Sequence, residues 1–326
     1  MAKVLCNYNN LGCIMKRACV FPGQGSQVVG MCKDVVDNFQ VAKTVMQEVD
    51  DALSQNLSNI ILSGPAEELI LTENAQPALM ACSIAILKVI EEQSGKKLSE
   101  ICDFVAGHSL GEFTALTAAG VFSLSDCAKL LKIRGKAMQE AVPLGHGAMV
   151  AILGANMSSV QEIVEQAGQV GICQLANDNS IGQQVLSGTK EAVEEAVKLS
   201  IIRGYKTIKL NVSAPFHCQL MKQAQDALES ALETVQVNNP SVSVIANFTA
   251  KPISDKSDIK ELLVKQVTGM VRWRETILEL SFLGVDNVVE IGSGKVLTGL
   301  FKKTAPSILG TSIQNSHDIE NFIQNL

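Results

Sequence analysis

Gly107-His108-Ser109-Leu110-Gly111 is a Gly-x-Ser-x-Gly element between a stretch patterned as a buried strand (101–106) and one patterned as a helix (110–120). A serine at such a bend is forced into a tight turn. The turn exposes its hydroxyl and aims backbone N–H groups and the helix dipole at a developing oxyanion. The alternative is a glycine-bounded turn whose serine only caps the helix, and the flanking elements argue for the nucleophile. A serine hydroxyl needs a base, and the chain has four histidines. His108 adjoins the serine on the strand side, where its ring cannot easily reach back. His146 lies between two glycines, and His317 lies near a polar C-terminus. His217, in Ser213-Ala214-Pro215-Phe216-His217-Cys218, remains. A proline at a helix start can hold an imidazole in one orientation. A histidine with only a structural hydrogen bond is the competing reading.

Arg134 is the most informative charge. Cys127, Leu130, Leu131, Met138 and Ala141 form the apolar stripe of a helix running from Ser125 and Asp126 to about Ala141, and Arg134 falls inside that stripe. A buried guanidinium costs several kcal/mol, as an order of magnitude, unless an anion pairs with it. Its planar fork fits a carboxylate. Sequence leaves two partners open, an internal one such as Glu112 or a carboxylate on a substrate. Two glycine-rich stretches carry no nucleotide signal. Gly23-Gln24-Gly25-Ser26-Gln27-Val28 lacks the third glycine of a dinucleotide fingerprint, and Gly292-Ser293-Gly294-Lys295-Val296 lacks the P-loop's first glycine and its Ser/Thr.

These residues need a frame. Strands are expected over 17–21, 101–106, 242–248 and 288–291, and helices over 35–53, 76–92, 110–120, 125–141 and 259–268, with another from Trp273. Alternation of this kind predicts a mainly parallel sheet flanked by helices. Between Gly147 and Ser213 the order is strand 149–153, helix 158–166, strands 171–176 and 184–186, helix 190–202 and strand 206–212, which is the ferredoxin-like unit. The expected division is therefore an α/β hydrolase-like domain over 15–144 and 214–326, with a ferredoxin-like small domain over 145–213. The C-terminal segment resists assignment from pattern alone.

Composition excludes several classes. The 326 residues carry a net charge of −6, whereas a nucleic-acid or anionic-membrane partner calls for a basic surface. Nine cysteines, odd in number, irregularly spaced and without a Cys-x-x-Cys pair, argue against a metal site or disulfide framework and for a reducing cytoplasm. The longest apolar run, near 79–90, is interrupted by Lys88 and is too short to span a bilayer. Residues 1–14 lack the apolar stretch of a signal peptide and read as an extension outside the core.

Several further blocks stand in order with these residues. They are Phe21-Pro22-Gly23-Gln24-Gly25-Ser26-Gln27, Ala75-Gln76-Pro77-Ala78-Leu79, Asn179-Ser180 ahead of Val185-Leu186-Ser187-Gly188, Lys265-Gln266, Val271-Arg272-Trp273 and Gly294-Lys295-Val296-Leu297-Thr298-Gly299-Leu300. From about Lys16 to about Leu300 the chain resembles the malonyl-CoA:acyl carrier protein transacylases of type II fatty acid synthesis and the related acyltransferase domains of polyketide synthases. The resemblance implies a hydrolase-like α/β core with a ferredoxin-like insert, Ser109 as nucleophile and His217 as base. His217 is then oriented by a backbone carbonyl near Gln266, and Gln76 is a second supporting residue. It further implies an oxyanion hole from the backbone N–H groups of Gln24 and Leu110, and Arg134 bound to the malonyl carboxylate. Phe216 resembles the malonyl-selective variant, in which a bulky ring crowds an α-methyl group, a preference of about 1–3 kcal/mol. The sequence departs from the family at Ile181, where proline is common, and at Gly269-Met270, both in loops. The implied reaction is ping-pong transfer from a coenzyme A thioester to acyl carrier protein, with no metal or bound cofactor. An acidic carrier would need a local basic patch on this chain. The rival readings are a thioesterase or esterase, a polyketide-type acyltransferase with another extender unit, and a non-catalytic carrier-binding protein.

Overall fold

Burial of Ala18, Cys19, Val20 and Phe21 on both faces makes β1 (Lys16–Phe21) a central strand, which only a sheet covered by helices on both sides can accommodate. The computed structural model describes residues 15–253 and 255–326; the expected 1–14 extension lies outside the described residues. The other strands are β2 (Phe104–Gly107), β3 (Gly147–Leu153), β4 (Cys173–Ser180), β5 (Gln183–Thr189), β6 (Lys206–Lys209), β7 (Ser243–Ile245), β8 (Pro252–Ile253), β9 (Val285–Ile291) and β10 (Leu309–Ile313). They form a six-stranded sheet ordered β10-β9-β1-β2-β7-β8, parallel except for β8, and a four-stranded sheet ordered β4-β5-β3-β6. The smaller sheet is antiparallel. With helices Met157–Ala167 and Lys190–Ile202 it has the ferredoxin-like connection order, around an apolar core that includes Val150, Ile152, Val160, Ile163 and Leu186. The fold is the expected one, an α/β hydrolase-like core with a mainly parallel sheet and a small ferredoxin-like α+β insert.

Helix Thr72–Ser94 is apolar on nearly every side and accordingly runs through the core of the larger unit, against helices Gln40–Leu53 and Leu124–Glu140. It starts a turn earlier than its apolar pattern indicates. The expected 35–53 helix is broken at Phe39, whose extended backbone separates Lys33–Asn38 from Gln40–Leu53. The expected strand 101–106 begins only at Phe104, because 98–101 close into a helical turn. β4 continues past its expected end through the polar run Asn177, Asp178 and Asn179. That run pairs with β5 and also bonds across the junction with the larger unit. Asp178 N donates to Val271 O at 3.0 Å, Val271 N donates to Ala176 O at 2.8 Å, and Arg274 Nε reaches the buried Asp178 carboxylate at 2.7 Å. Near the C-terminus, helix Val296–Thr304 is capped by the buried Glu290 carboxylate, which accepts from Leu297 N at 3.1 Å and Thr298 N at 2.8 Å.

β1 and β2 end level, with Phe21 opposite Gly107, so the loop after β1 and the bend after β2 open at the same edge of the sheet. In parallel sheets this carboxyl edge is where ligands bind. The bend leaves no room for side chains at its two glycines. A Cβ at Gly107 would stand 1.8 Å from Gly111 O, and one at Gly111 would stand 2.3 Å from Phe21 O. Gly111→Ala is therefore expected to destabilise the protein by about 3 kcal/mol or more, or to prevent folding. Gly299→Ala, in helix Val296–Thr304 with nothing within 4 Å of the added methyl, is expected to be stabilising by about 0.5–1 kcal/mol. Urea denaturation of the two variants beside the parent measures both, and equal midpoints would refute the steric account of the bend.

Candidate active site

The bend holds Ser109 at φ 55°, ψ −110°, a backbone conformation that costs of order 1–3 kcal/mol and must be imposed by its surroundings. Asn247, fully buried just beyond β7, imposes it. Its side-chain oxygen accepts from Ser109 N at 2.7 Å and its amide donates to Gly107 O at 2.7 Å, so one side chain brackets the turn. Gly111 N donates to His108 O and Glu112 N to Ser109 O. The N–H of Leu110, first residue of helix Leu110–Ala118, is thereby left at the helix N-terminus, where the dipole favours negative charge. Gln24, in the loop after β1, lines the same cleft of about 920 Å³ as Ser109, His217, Arg134, Gln76 and Phe216.

His217 also has a left-handed backbone, at φ 58°. Its Nε2 is 2.8 Å from Ser109 Oγ and its Nδ1 is 2.9 Å from Gln266 O. A carbonyl oxygen can only accept, so Nδ1 carries the proton and Nε2 presents its lone pair to the serine hydroxyl. Burial, and next the positive charge of Arg134, push the imidazole down to about 3, so it is neutral in the resting site. His108 is turned away. Its Nε2 lies 2.8 Å from Asn179 Oδ1 on β4, and its ring packs against Trp273 at 5.5 Å. His146 and His317 are exposed.

Arg134, on helix Leu124–Glu140, is fully buried and bonded to neutral oxygens. Nη1 donates to Gln76 Oε1 at 2.7 Å, and Nη2 donates to Gln266 Oε1 at 2.9 Å and to Ser109 Oγ at 3.1 Å, while Nε has no partner. The guanidinium also lies over the Phe113 ring at 5.4 Å. Burial lowers its pKa to about 10, with Glu112 opposing, so the group remains a cation near neutral pH. A direct ion pair with Glu112, one of the two partners left open by the sequence, does not form. The Gln266 side chain stands between them, accepting from Arg134 and donating through Nε2 to Glu112 Oε2 at 2.7 Å and to Ser109 O at 2.9 Å. Glu112 Oε2 accepts in addition from Asn247 N at 3.1 Å. Burial raises the Glu112 carboxyl to about 7 against the hydrogen bonds from Gln266 and Asn247 and the charge of Arg134.

Sequence reasoning missed Asn247 and the second use of Gln266, whose side chain and carbonyl serve different partners. The available signal was a polar residue closing a short apolar strand. Ile181 is exposed at the turn between β4 and β5, away from the cleft-lining residues. Among the described residues no cluster of three or more His, Cys, Asp or Glu is placed to hold a metal ion, and no helix is long and apolar enough to cross a membrane.

An arrangement of serine, neutral imidazole and buried guanidinium is suited to acyl transfer involving a carboxylated group, and the chain's relatives agree in kind. The acyl transferase domain family matches residues 18–325. Malonyl CoA-acyl carrier protein transacylase of Bacillus subtilis (strain 168) is 43% identical over 313 residues, covering 95% of this chain and 97% of that protein. The chain belongs to the malonyl CoA-acyl carrier protein transacylase family. Among solved structures, the acyl-carrier-protein-S-malonyltransferase of Bartonella henselae is 50% identical, with a TM-score of 0.93, covering 95% of this chain and 99% of that one. A malonyl-transacylase in complex with its type II PKS acyl-carrier protein is 39% identical, with a TM-score of 0.92, covering 95% and 100%. Every site residue described above lies inside the span matched by the family.

The raised Glu112 value has a consequence for stability. The folded protein retains a proton that the unfolded chain releases between the ordinary 4.5 and about 7. The associated stability is present below pH 4.5 and is lost as pH rises through 7. Glu112→Gln removes that dependence, so its unfolding free energy should gain on the parent's by of order 3 kcal/mol between pH 4.5 and 7.5. Urea melts at successive pH values measure the difference, and parallel curves would refute it.

Proposed function

We propose that this chain is an [acyl-carrier-protein] S-malonyltransferase that moves a malonyl group from malonyl-CoA to the phosphopantetheine thiol of acyl carrier protein through a malonyl-seryl enzyme. One observation carries the reading. A fully buried guanidinium without a carboxylate partner donates to the oxygen of a serine that is already bonded to a neutral histidine. A hydrolase has no use for that cation, whereas a malonyl thioester brings the missing anion.

In the first half-reaction Ser109 Oγ attacks the thioester carbonyl as His217 Nε2 takes its proton. The N–H groups of Leu110 and Gln24 receive the oxyanion. The C–S bond breaks as His217 gives its proton to the leaving sulfur, so coenzyme A departs as a thiol and the imidazole is neutral again. In the second, His217 deprotonates the carrier's thiol, which attacks the seryl ester, and the proton returns to Ser109. Arg134, anchored by Gln76 and Gln266, fixes the carboxylate between the two steps, and Phe216 shapes the cleft beside the α-carbon. Side chains and backbone supply every group in this scheme, so the reaction calls for no metal or bound cofactor. The carrier-protein complex of a relative supports the choice of acceptor.

The same proposal includes a cytoplasmic setting, which accords with seven described cysteines that are buried and free. It includes the division into 15–144 with 214–326 and 145–213, which the separate apolar core of the smaller sheet supports.

Mixing the enzyme with malonyl-CoA should add one malonyl group, seen by intact-protein mass spectrometry, and Ser109→Ala should abolish it. An adduct that persists on the variant would place the nucleophile elsewhere, and release of free malonate without carrier protein would favour a thioesterase. Arg134→Ala should lower malonyl transfer about a hundredfold or more, the scale of a lost charge-assisted contact in a dry site, without a parallel fall in acetyl transfer. Equal losses for both groups would refute the carboxylate role.

A further inference from the structure

The guanidinium assigned to the malonyl carboxylate also occupies the nucleophile. Arg134 Nη2 is 3.1 Å from Ser109 Oγ, the same oxygen that lies 2.8 Å from His217 Nε2. We infer that Arg134 is an electrostatic latch on Ser109, released when an anion at the carboxylate subsite takes the Nη2 N–H, so that the malonyl group switches on its own acylation. The inference rests on the seryl acyl-transfer reading above and adds that the carboxylate acts on the chemical step as well as on binding.

Two effects hold the latch closed. An N–H from a cation directed at Oγ takes up one of its two lone pairs and draws electron density from the other, which lowers its nucleophilicity. The same cation, one atom beyond the Ser–His hydrogen bond, opposes the positive charge that His217 must acquire on accepting the proton. Consistent with this, Arg134 is among the groups that hold the imidazole low. Of the three bonds made by the guanidinium, those to Gln76 and Gln266 are to side chains anchored elsewhere, by Met138 Sδ and by Glu112 and Ser109 O. The bond to the serine hydroxyl is the longest of the three, and Ser109 Oγ, unlike the two anchored amide oxygens, is held on its other side only by His217. A carboxylate taking Nη2 competes with that hydroxyl and neutralises the cation. The same bonds form and break with malonyl or acetyl as the acyl group: Oγ–C forms, C–S breaks, and the proton passes from Oγ through His217 to sulfur. Only the anion distinguishes the two.

Other titratable groups around the pair are Glu112 on the nucleophile helix, His108 at the bend and the buried Cys218 thiol next to His217. Lys265 lies beside Gln266, but its ammonium pairs with Glu261 over the Phe248 ring. All are present with either acyl donor and cancel in a comparison at fixed pH.

The test separates the anion from the acyl group. Wild-type enzyme is acetylated by acetyl-CoA in a single turnover, followed by rapid quench and intact mass, with sodium formate or with sodium chloride at equal ionic strength. Formate supplies the carboxylate that acetyl lacks, and it should accelerate acetylation of Ser109 roughly tenfold, the scale of releasing one charge-assisted hydrogen bond. In parallel, phenylmethylsulfonyl fluoride, a neutral electrophile that needs no carboxylate site, should modify Ser109 in Arg134→Ala roughly tenfold faster than in wild type. Acetylation no faster in formate than in chloride would overturn the latch, as would unchanged sulfonylation of the variant. The formate comparison uses wild-type protein alone and decides the matter if the variant does not fold. Failure of the underlying reading looks different, since malonyl-CoA would then leave no adduct on wild-type Ser109.

Discussion

A cation buried without an anion is the constraint around which the rest of this structure is arranged. Arg134 sits in the apolar stripe of its helix, where neutral residues would pack more favourably, and it is surrounded by three neutral oxygens from helix Thr72–Ser94, the helix carrying Gln266 and the bend carrying Ser109. Neutral acceptors lessen the desolvation cost without cancelling the charge. Glu112 is near enough to influence the cation, yet the Gln266 amide stands between the two groups. A direct Arg134–Glu112 pair would saturate the fork and close the subsite. An inserted amide lets the acid stabilise the cation at a distance while the fork stays available. The site therefore stores an unmet electrostatic demand, which on the proposed mechanism a substrate carboxylate meets.

The second constraint is geometric. Ser109 and His217 both hold left-handed backbones that their side chains disfavour, so each must be held from outside. The level ends of β1 and β2 and the bare glycines at 107 and 111 bring the bend against the first strand, and Asn247 bonds its two sides. Asn247 also passes its own N–H to Glu112, and Glu112 receives Gln266, whose carbonyl orients His217. Ser109, His217 and Arg134 are thus tied to one continuous set of hydrogen bonds.

Much of this was legible in the sequence, and the limit is physical. Ser109, Arg134 and His217, which the structure brings into contact, stand out by local rules: a glycine-bounded bend, a charge in an apolar stripe, and the histidine left after elimination. The parallel core and the insert followed from strand and helix periods, which are also local. What escaped depends on partners far along the chain. Asn247 bonds a residue 138 positions away, and Gln266 bonds one 154 positions away. β4 extends through Asn177, Asp178 and Asn179 because β5 pairs with the run on one side and Val271 and Arg274 bond it across the junction, while the three residues read alone suggest a turn. Polar side chains whose purpose is tertiary leave no periodic trace.

On the proposed mechanism, the choice of a carbonyl to orient His217 bears on why such a site transfers instead of hydrolysing. A carboxylate in the place of Gln266 O would stabilise the imidazolium and make His217 a stronger base at all times. A neutral carbonyl fixes the tautomer equally well and adds no charge, so the imidazolium remains costly in this buried site and returns its proton readily to whichever thiol is leaving or serine is released. A base kept weak chiefly by burial is also a poor activator of stray water. In a two-step transfer the acyl-enzyme must wait for its acceptor, and a histidine without a carboxylate behind it protects that interval better than one held permanently as a strong base.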